Sequence, residues 1–374
     1  MRNYRPSILC LLLLLAAPVY AQQAQRQETP SAPGEVAAVS ALPASDAVFV
    51  FNIERLLTDA LPRVLPADGA KYIDSYLTVA KFLFGMDLRE VASVVVGMKL
   101  PKTISARTMP SFVVILRGSF NAEKEVADLR RLLQGESPQA IREERYKGRT
   151  VFIFNLGAPD PPSEKSLLDV VEVSITVMDS GMFAVGQLAD VKRTIDAGEG
   201  YGRISPALAK LATLNPKALV TVATVAPEEK EEPSVVSVAA QIEDDLFEIL
   251  ASVADSSASL ELNDAALELS LLAHTRQDDK ALPLRDLLLS LVHQLSAVVK
   301  DTHIKEALDS LQAESHANEV RLKLRLPRKV VAEYVSAWKP WPMGMEELPL
   351  IKPQIEPSTP GRRGPRKRRR ARRR

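Results

Sequence analysis

The only cysteine in this chain of 374 residues is Cys10, inside an apolar run from Ile8 to Ala17. Whatever follows residue 21 has to fold without a thiol. Disulfides, thiolate zinc sites, iron–sulfur clusters and a cysteine nucleophile are excluded together, and the fold has to be held by its apolar core. Roughly 300 residues between the terminal segments suffice to bury one or two such cores.

Arg2 and Arg5 precede the apolar run, and Val19-Tyr20-Ala21 follows it with a small-residue cleavage pattern. Residues 1–21 therefore read as a secretory signal peptide, and the finished chain is expected to begin near Gln22 and to be periplasmic or secreted. The run is about ten residues long, whereas a bilayer-spanning helix takes roughly 20. No transmembrane span is expected in the mature protein. Residues 22–44, rich in Gln, Ala, Ser and Pro, are expected to be a disordered leader. Residues 339–361 carry prolines at 340, 342, 349, 353, 357 and 360 and read as a linker favouring extended polyproline, roughly 3.1 Å per residue.

The formal charge of +1 conceals a separation of opposites. Ten cations fall in residues 362–374 without one acid: Arg362, Arg363, Arg366, Lys367, Arg368, Arg369, Arg370, Arg372, Arg373 and Arg374. Setting these aside with Arg2 and Arg5 leaves 36 Lys and Arg against 47 Asp and Glu, a charge of −11. Such a block does not fold by itself, and it is expected to be a disordered arm that engages anions. Each basic residue near an anionic membrane contributes about 1 kcal/mol, so lipid phosphates or anionic envelope polymers are the expected partners. Nucleic acid is a less favoured one, because an exported chain meets little of it. The predominance of Arg favours forked phosphate contacts. A fold-back of the tail onto the acidic body and a solubilising tail without a partner are the other readings.

Between the tails the pattern mixes strands and helices. Strands are expected at 46–53, 90–98, 112–118, 141–146, 150–156, 171–178 and 183–186. Helices are expected at 71–84, at 122–133 capped by Asn121, at 188–197 and at 206–214. From Lys217 the order starts again, with a strand at 218–225, a helix at 234–253, a hairpin of 257–262 and 265–275 around Asn263-Asp264, helices at 284–300 and 302–312, a strand at 319–326 and a helix opened by Pro327. The expected fold is α+β, with two similar lobes of mainly antiparallel sheet and packed helices at 45–215 and 216–338, and a possible internal duplication. The acidic stretch Ala226 to Pro233 reads as the solvated boundary between them.

Motifs for catalysis are scarce. The four histidines are His274, His293, His303 and His316, and His303 with Glu306 is the nearest approach to a zinc-helix pair, lacking the second His four residues on. No phosphate loop, nucleophile elbow or dinucleotide turn occurs, so no cofactor and no metal is expected. Ser336-Ala337-Trp338-Lys339 fits S-x-x-K, but it closes a helix where the nucleophile motif would open one.

Leu42-Pro43-Ala44-Ser45-Asp46, leading into the strand Ala47 to Asn52, resembles the opening of a broad group of uncharacterised bacterial exported proteins, with Ser45 inserted before the Asp. The resemblance covers about fifteen residues. It implies an envelope setting and an α+β body, and no site residues. The reading favoured by the sequence is a non-enzymatic interaction or structural module acting through its basic tail. An exported hydrolase without a linear motif would show a cleft with convergent titratable groups. A carrier of a hydrophobic ligand would show a closed apolar cavity of several hundred Å³ between the lobes.

Overall fold

Among the described residues of the computed structural model, twelve strands, each antiparallel to its neighbours, form a single sheet. The structure describes residues 33–65, 86–100, 110–136, 141–155, 172–226 and 244–337, together with Ile73, Asp74, Leu77, Thr78 and Lys81. Described residues up to Ser336 belong to one compact unit. The strands are β1 (Ala47–Asn52), β2 (Val91–Lys99), β3 (Ser111–Gly118), β4 (Ile141–Tyr146), β5 (Arg149–Asn155), β6 (Glu172–Asp179), β7 (Met182–Gly186), β8 (Val220–Val225), β9 (Val253–Leu262), β10 (Ala266–Thr275), β11 (Gln312–His316) and β12 (Glu319–Pro327). Across the sheet they run β11-β12-β10-β9-β8-β1-β2-β3-β7-β6-β5-β4.

The chain is thus α+β, and its two halves are adjacent blocks of one sheet. The seam is β1 against β8, with Val48 opposite Ala223 and Val50 opposite Thr221. Outward from the seam both blocks repeat one order. A first strand and a helix lead to two neighbouring strands, a second helix follows, and a hairpin then returns its last strand beside the third, β7 beside β3 and β12 beside β10. Hairpin β4–β5 is an addition to the first block. Antiparallel pairing of counterpart strands at the seam is what a two-fold relation between the halves requires.

Alternating burial along β2 explains why both faces of the first block are covered. Val95 on one face packs with Val48, Val50 and Ile115 beneath Ala38, Val39 and Leu42, beside Val191 and Ile195 of α5 (Leu188–Gly198) and Leu208 of α6 (Pro206–Ala212). On the other face Phe154, Ile175 and Phe183 meet Ala122 and Val126 of α4 (Ala122–Glu136). Asn121 Oδ1 accepts the Lys124 amide at 3.0 Å, the cap expected of it. Lys147 and Gly148 both take positive φ, which closes β4–β5 as a two-residue turn. In the second block Ala281, Leu284 and Leu288 of α8 (Ala281–Val298) cover Val253, Ala273 and Val320. Val331 and Val335 of α10 (Arg328–Ala337) share a cluster with Leu262, with Ala60 at the end of the π-helical Leu56–Ala60 that follows α2 (Ile53–Arg55), and with Val64 at the end of α3 (Leu61–Val64).

Three expectations need correction. The leader at 22–44 is not a spacer over its described part: Pro33–Ser40 is a helix, α1, and Val39 and Leu42 are fully buried. Its small apolar residues read as low complexity, yet their size is what fits them against β2, where a Cβ at Gly97 would lie 2.8 Å from Ser45 Oγ and 2.9 Å from Leu42 Cδ2. The helix placed at 234–253 is described as α7 (Asp244–Ala251), and Val253 opens β9 opposite Thr275. The helix placed at 302–312 is α9 (Thr302–Asp309), because the Ser310 amide closes the last turn on Glu306 and Ala307 carbonyls and the alternating Gln312 to His316 pairs with β12. Residues 1–32, most of 71–84, 227–243 and 338–374 lie outside the described residues, and with them the signal segment, the rest of the leader, the acidic boundary, the linker and the tail.

Candidate functional site

The ten tail cations from Arg362 to Arg374 lie outside the described residues, so the geometry available is that of the body. Lys147 in the β4–β5 turn is held far above its usual range by Asp196 and Glu199, and two further strongly perturbed groups, His274 and Asp255, lie on β10 and β9. His274 on β10 is 1 % exposed, and its Nε2 lies 3.2 Å from Glu319 Oε2 on β12. Burial, and then the neighbouring Arg321 charge, hold its pKa down at about 4. Arg321 in turn engages Glu319, so that carboxylate faces a permanent cation on one side and a neutral imidazole on the other. Half-buried Asp255 on β9 is pushed up to about 6 by desolvation. Farther along β12, Lys323 and Arg325 converge on Glu268 of β10, with Arg325 Nε at 2.9 Å.

His274 with Glu319, and Lys323 and Arg325 with Glu268, form cross-strand pairs of the kind that stabilise a sheet. Of the remaining histidines, His316 on β11 lies opposite Glu319 in the register, while His303 stands apart: its Nδ1 is 3.9 Å from Glu306, its Nε2 is 4.0 Å from Glu333, and the two nitrogens face different carboxylates. Among the described residues no group of three His, Cys, Asp or Glu could hold a metal ion. Ser336, first residue of S-x-x-K, donates its hydroxyl to the Ala332 carbonyl at 2.6 Å, within its own helix.

An apolar cleft of about 70 Å³ lies in the second block. Leu269 and Leu271 of β10 and Leu322 and Leu324 of β12 floor it, and Leu288 and Val292 of α8 roof it. Its composition suits a hydrocarbon, but its place and size differ from the carrier expectation. It sits within one block, at the seam the halves are joined by hydrogen bonds, and ligand pockets run to about 300–1,000 Å³. The cleft and the His274 row were both missed from sequence. The leucines of β10 and β12 are visible in the chain, but only the register that places Leu271 opposite Leu322 turns them into one wall. Among the described residues no helix is long and apolar enough to cross a membrane.

No family model matches the chain, and no curated protein does. Among solved structures it is similar to TP0453 in crystal form III, with a TM-score of 0.40 and 9 % identity over 80 % of this chain and 98 % of that one. Crystal form IV of TP0453 aligns with a TM-score of 0.39 and 10 % identity over 82 % and 97 %. A likeness of this size carries no argument about function.

Proposed function

We propose that the protein is an exported, non-enzymatic interaction or structural module whose arginine-rich C-terminal end binds anionic envelope polymers or lipid phosphates. One observation carries the reading: ten cations in 362–374 without an acid, on a chain whose residues 22–361 are charged −11. The body contrasts with that block. Many of its cations are paired with acids, as in Lys323 and Arg325 with Glu268, Lys192 with Glu144 at 2.6 Å and Lys280 with Glu248 at 2.6 Å. Exposed pairs of this kind leave little net field. The tail is then the part of the chain able to gain from a dense array of phosphates, at about 1 kcal/mol per engaged residue. The apolar run before residue 21 and its cleavage pattern support export.

The test is sedimentation of the protein with phosphatidylglycerol or phosphatidylcholine vesicles, with and without residues 362–374. The intact chain is expected to pellet with the anionic vesicles alone, and to lose that binding as salt rises or when the tail is removed. Equal pelleting in all four combinations would abandon the reading.

A further inference from the structure

An open pocket of about 480 Å³ lies where α3, the β9–β10 turn and the start of α10 meet. Three cations, Arg63, Arg328 and Lys329, line it, and its one acid is Asp264. Pro327, Ala265 and Ala332 complete the wall with small side chains, which keeps the space between the charges open. The walls are tied together, since the Arg328 amide donates to the Ala265 carbonyl at 2.9 Å and fixes α10 to the turn.

The cations are not equivalent. Arg63 is held by Asp59 and donates through Nη1 to Asp264 Oδ1 at 3.0 Å. Arg328 and Lys329 are exposed, and among the described residues no ion pair engages either. Both stand in the first turn of α10, which contains no acid, where the helix dipole disfavours positive charge. A local rule broken at the rim of a pocket marks a place where something else compensates. Asp264, 94 % exposed, already supplies one carboxylate to this group, and an exposed ion pair is cheap to displace.

We propose that this pocket binds a phosphate group, with Arg328 and Lys329 as its principal ligands, Arg63 as the third cation and Asp264 as a built-in competitor. The ligand is a phosphate monoester or diester, either free or at a lipid headgroup. The site is built from residues other than those of the tail, and one residue reports on each: Lys329 on the pocket and Lys367 on the tail.

The experiment is residue-resolved amine acetylation of the full chain, read by mass spectrometry, with inorganic phosphate, phosphatidylglycerol vesicles or phosphatidylcholine vesicles. Exposed Lys305 on α9 serves as the control. Millimolar phosphate is expected to slow labelling of Lys329 at least about threefold while leaving Lys305 unchanged, an effect that Arg328→Gln removes. Asp264→Asn is expected to shift protection to about three- to fivefold lower phosphate, the scale of one exposed pair. Protection by phosphatidylglycerol vesicles as well assigns the headgroup, and protection by phosphate alone assigns a soluble ligand. Lys329 labelling that ignores phosphate, or that slows only as much as Lys305, overturns the site whatever Lys367 does. Protection of Lys367 with none at Lys329 keeps the tail and removes the pocket.

Discussion

Acidification from pH 7 to pH 5 should act on two groups of this sheet, buried His274 and half-buried Asp255, in opposite directions. His274 has a native pKa of about 4, against 6.5 for an unperturbed histidine. Its stabilising contribution is complete above 6.5 and is lost as pH falls toward 4, because over that interval the unfolded chain takes up a proton that the folded chain refuses. By linkage the loss between pH 7 and pH 5 is about 2 kcal/mol. Asp255, at about 6 against 3.8, works in reverse: the folded chain takes up the proton first, so its contribution is complete below 3.8 and is lost as pH rises through 6. Its gain on going to pH 5 is about 1 kcal/mol once the exposure of half its surface is allowed for. Together the two groups leave the unaltered protein a net loss of about 1 kcal/mol.

Single substitutions should expose them. His274→Gln keeps a polar group facing Glu319 and removes the titration, so this variant should fare about 2 kcal/mol better than the parent on going from pH 7 to pH 5. Asp255→Asn should fare about 1 kcal/mol worse over the same interval. Urea unfolding followed by circular dichroism at both pH values reads the difference, and groups common to parent and variant cancel in it. Parallel behaviour of His274→Gln and the parent, within about 0.5 kcal/mol, would refute the argument that burial keeps this imidazole neutral.

Leu42→Ala should cost about 2–5 kcal/mol in the same unfolding assay if the segment before β1 belongs to the core, and a cost near zero would return it to the status of a leader. Gly118→Ala places a Cβ 1.9 Å from the Glu90 carbonyl oxygen, so β3 has to move, and a loss of about 2–4 kcal/mol is expected in thermal or urea unfolding.

Much of the fold was legible because its signals are local. The run Val94-Val95-Val96 marks β2, Asn121 announces the helix it caps, and Lys147-Gly148 joins β4 to β5 through the positive φ values such a turn demands. The repeated order of elements could be read too, since it depends only on sequence order. What failed depends on partners far along the chain. Val39 and Leu42 have no pattern of their own, and their burial comes from β2 some fifty residues later. Gln312 to His316 is too polar to announce a strand, and it is one because β12 pairs with it. The body's sites were hidden for the same reason: Arg63 and Lys329 are far apart in sequence, as are His274 and Glu319, and only the fold brings each pair together. The tail is the opposite case, visible in composition alone and requiring no fold.

The β1–β8 seam also dictates an order of events during synthesis. Val48 cannot meet Ala223 until more than 170 further residues have been made, so β1 waits with one flank unpaired while β2 and β3 are already available to it on the other. Contacts so distant in the chain are slow to form. A fragment ending before β8 would keep that open apolar flank permanently, the sort of surface on which incomplete chains aggregate. The chain therefore reaches its finished state only when its two halves close on each other, and truncation near residue 215 should yield an insoluble product rather than a smaller working unit.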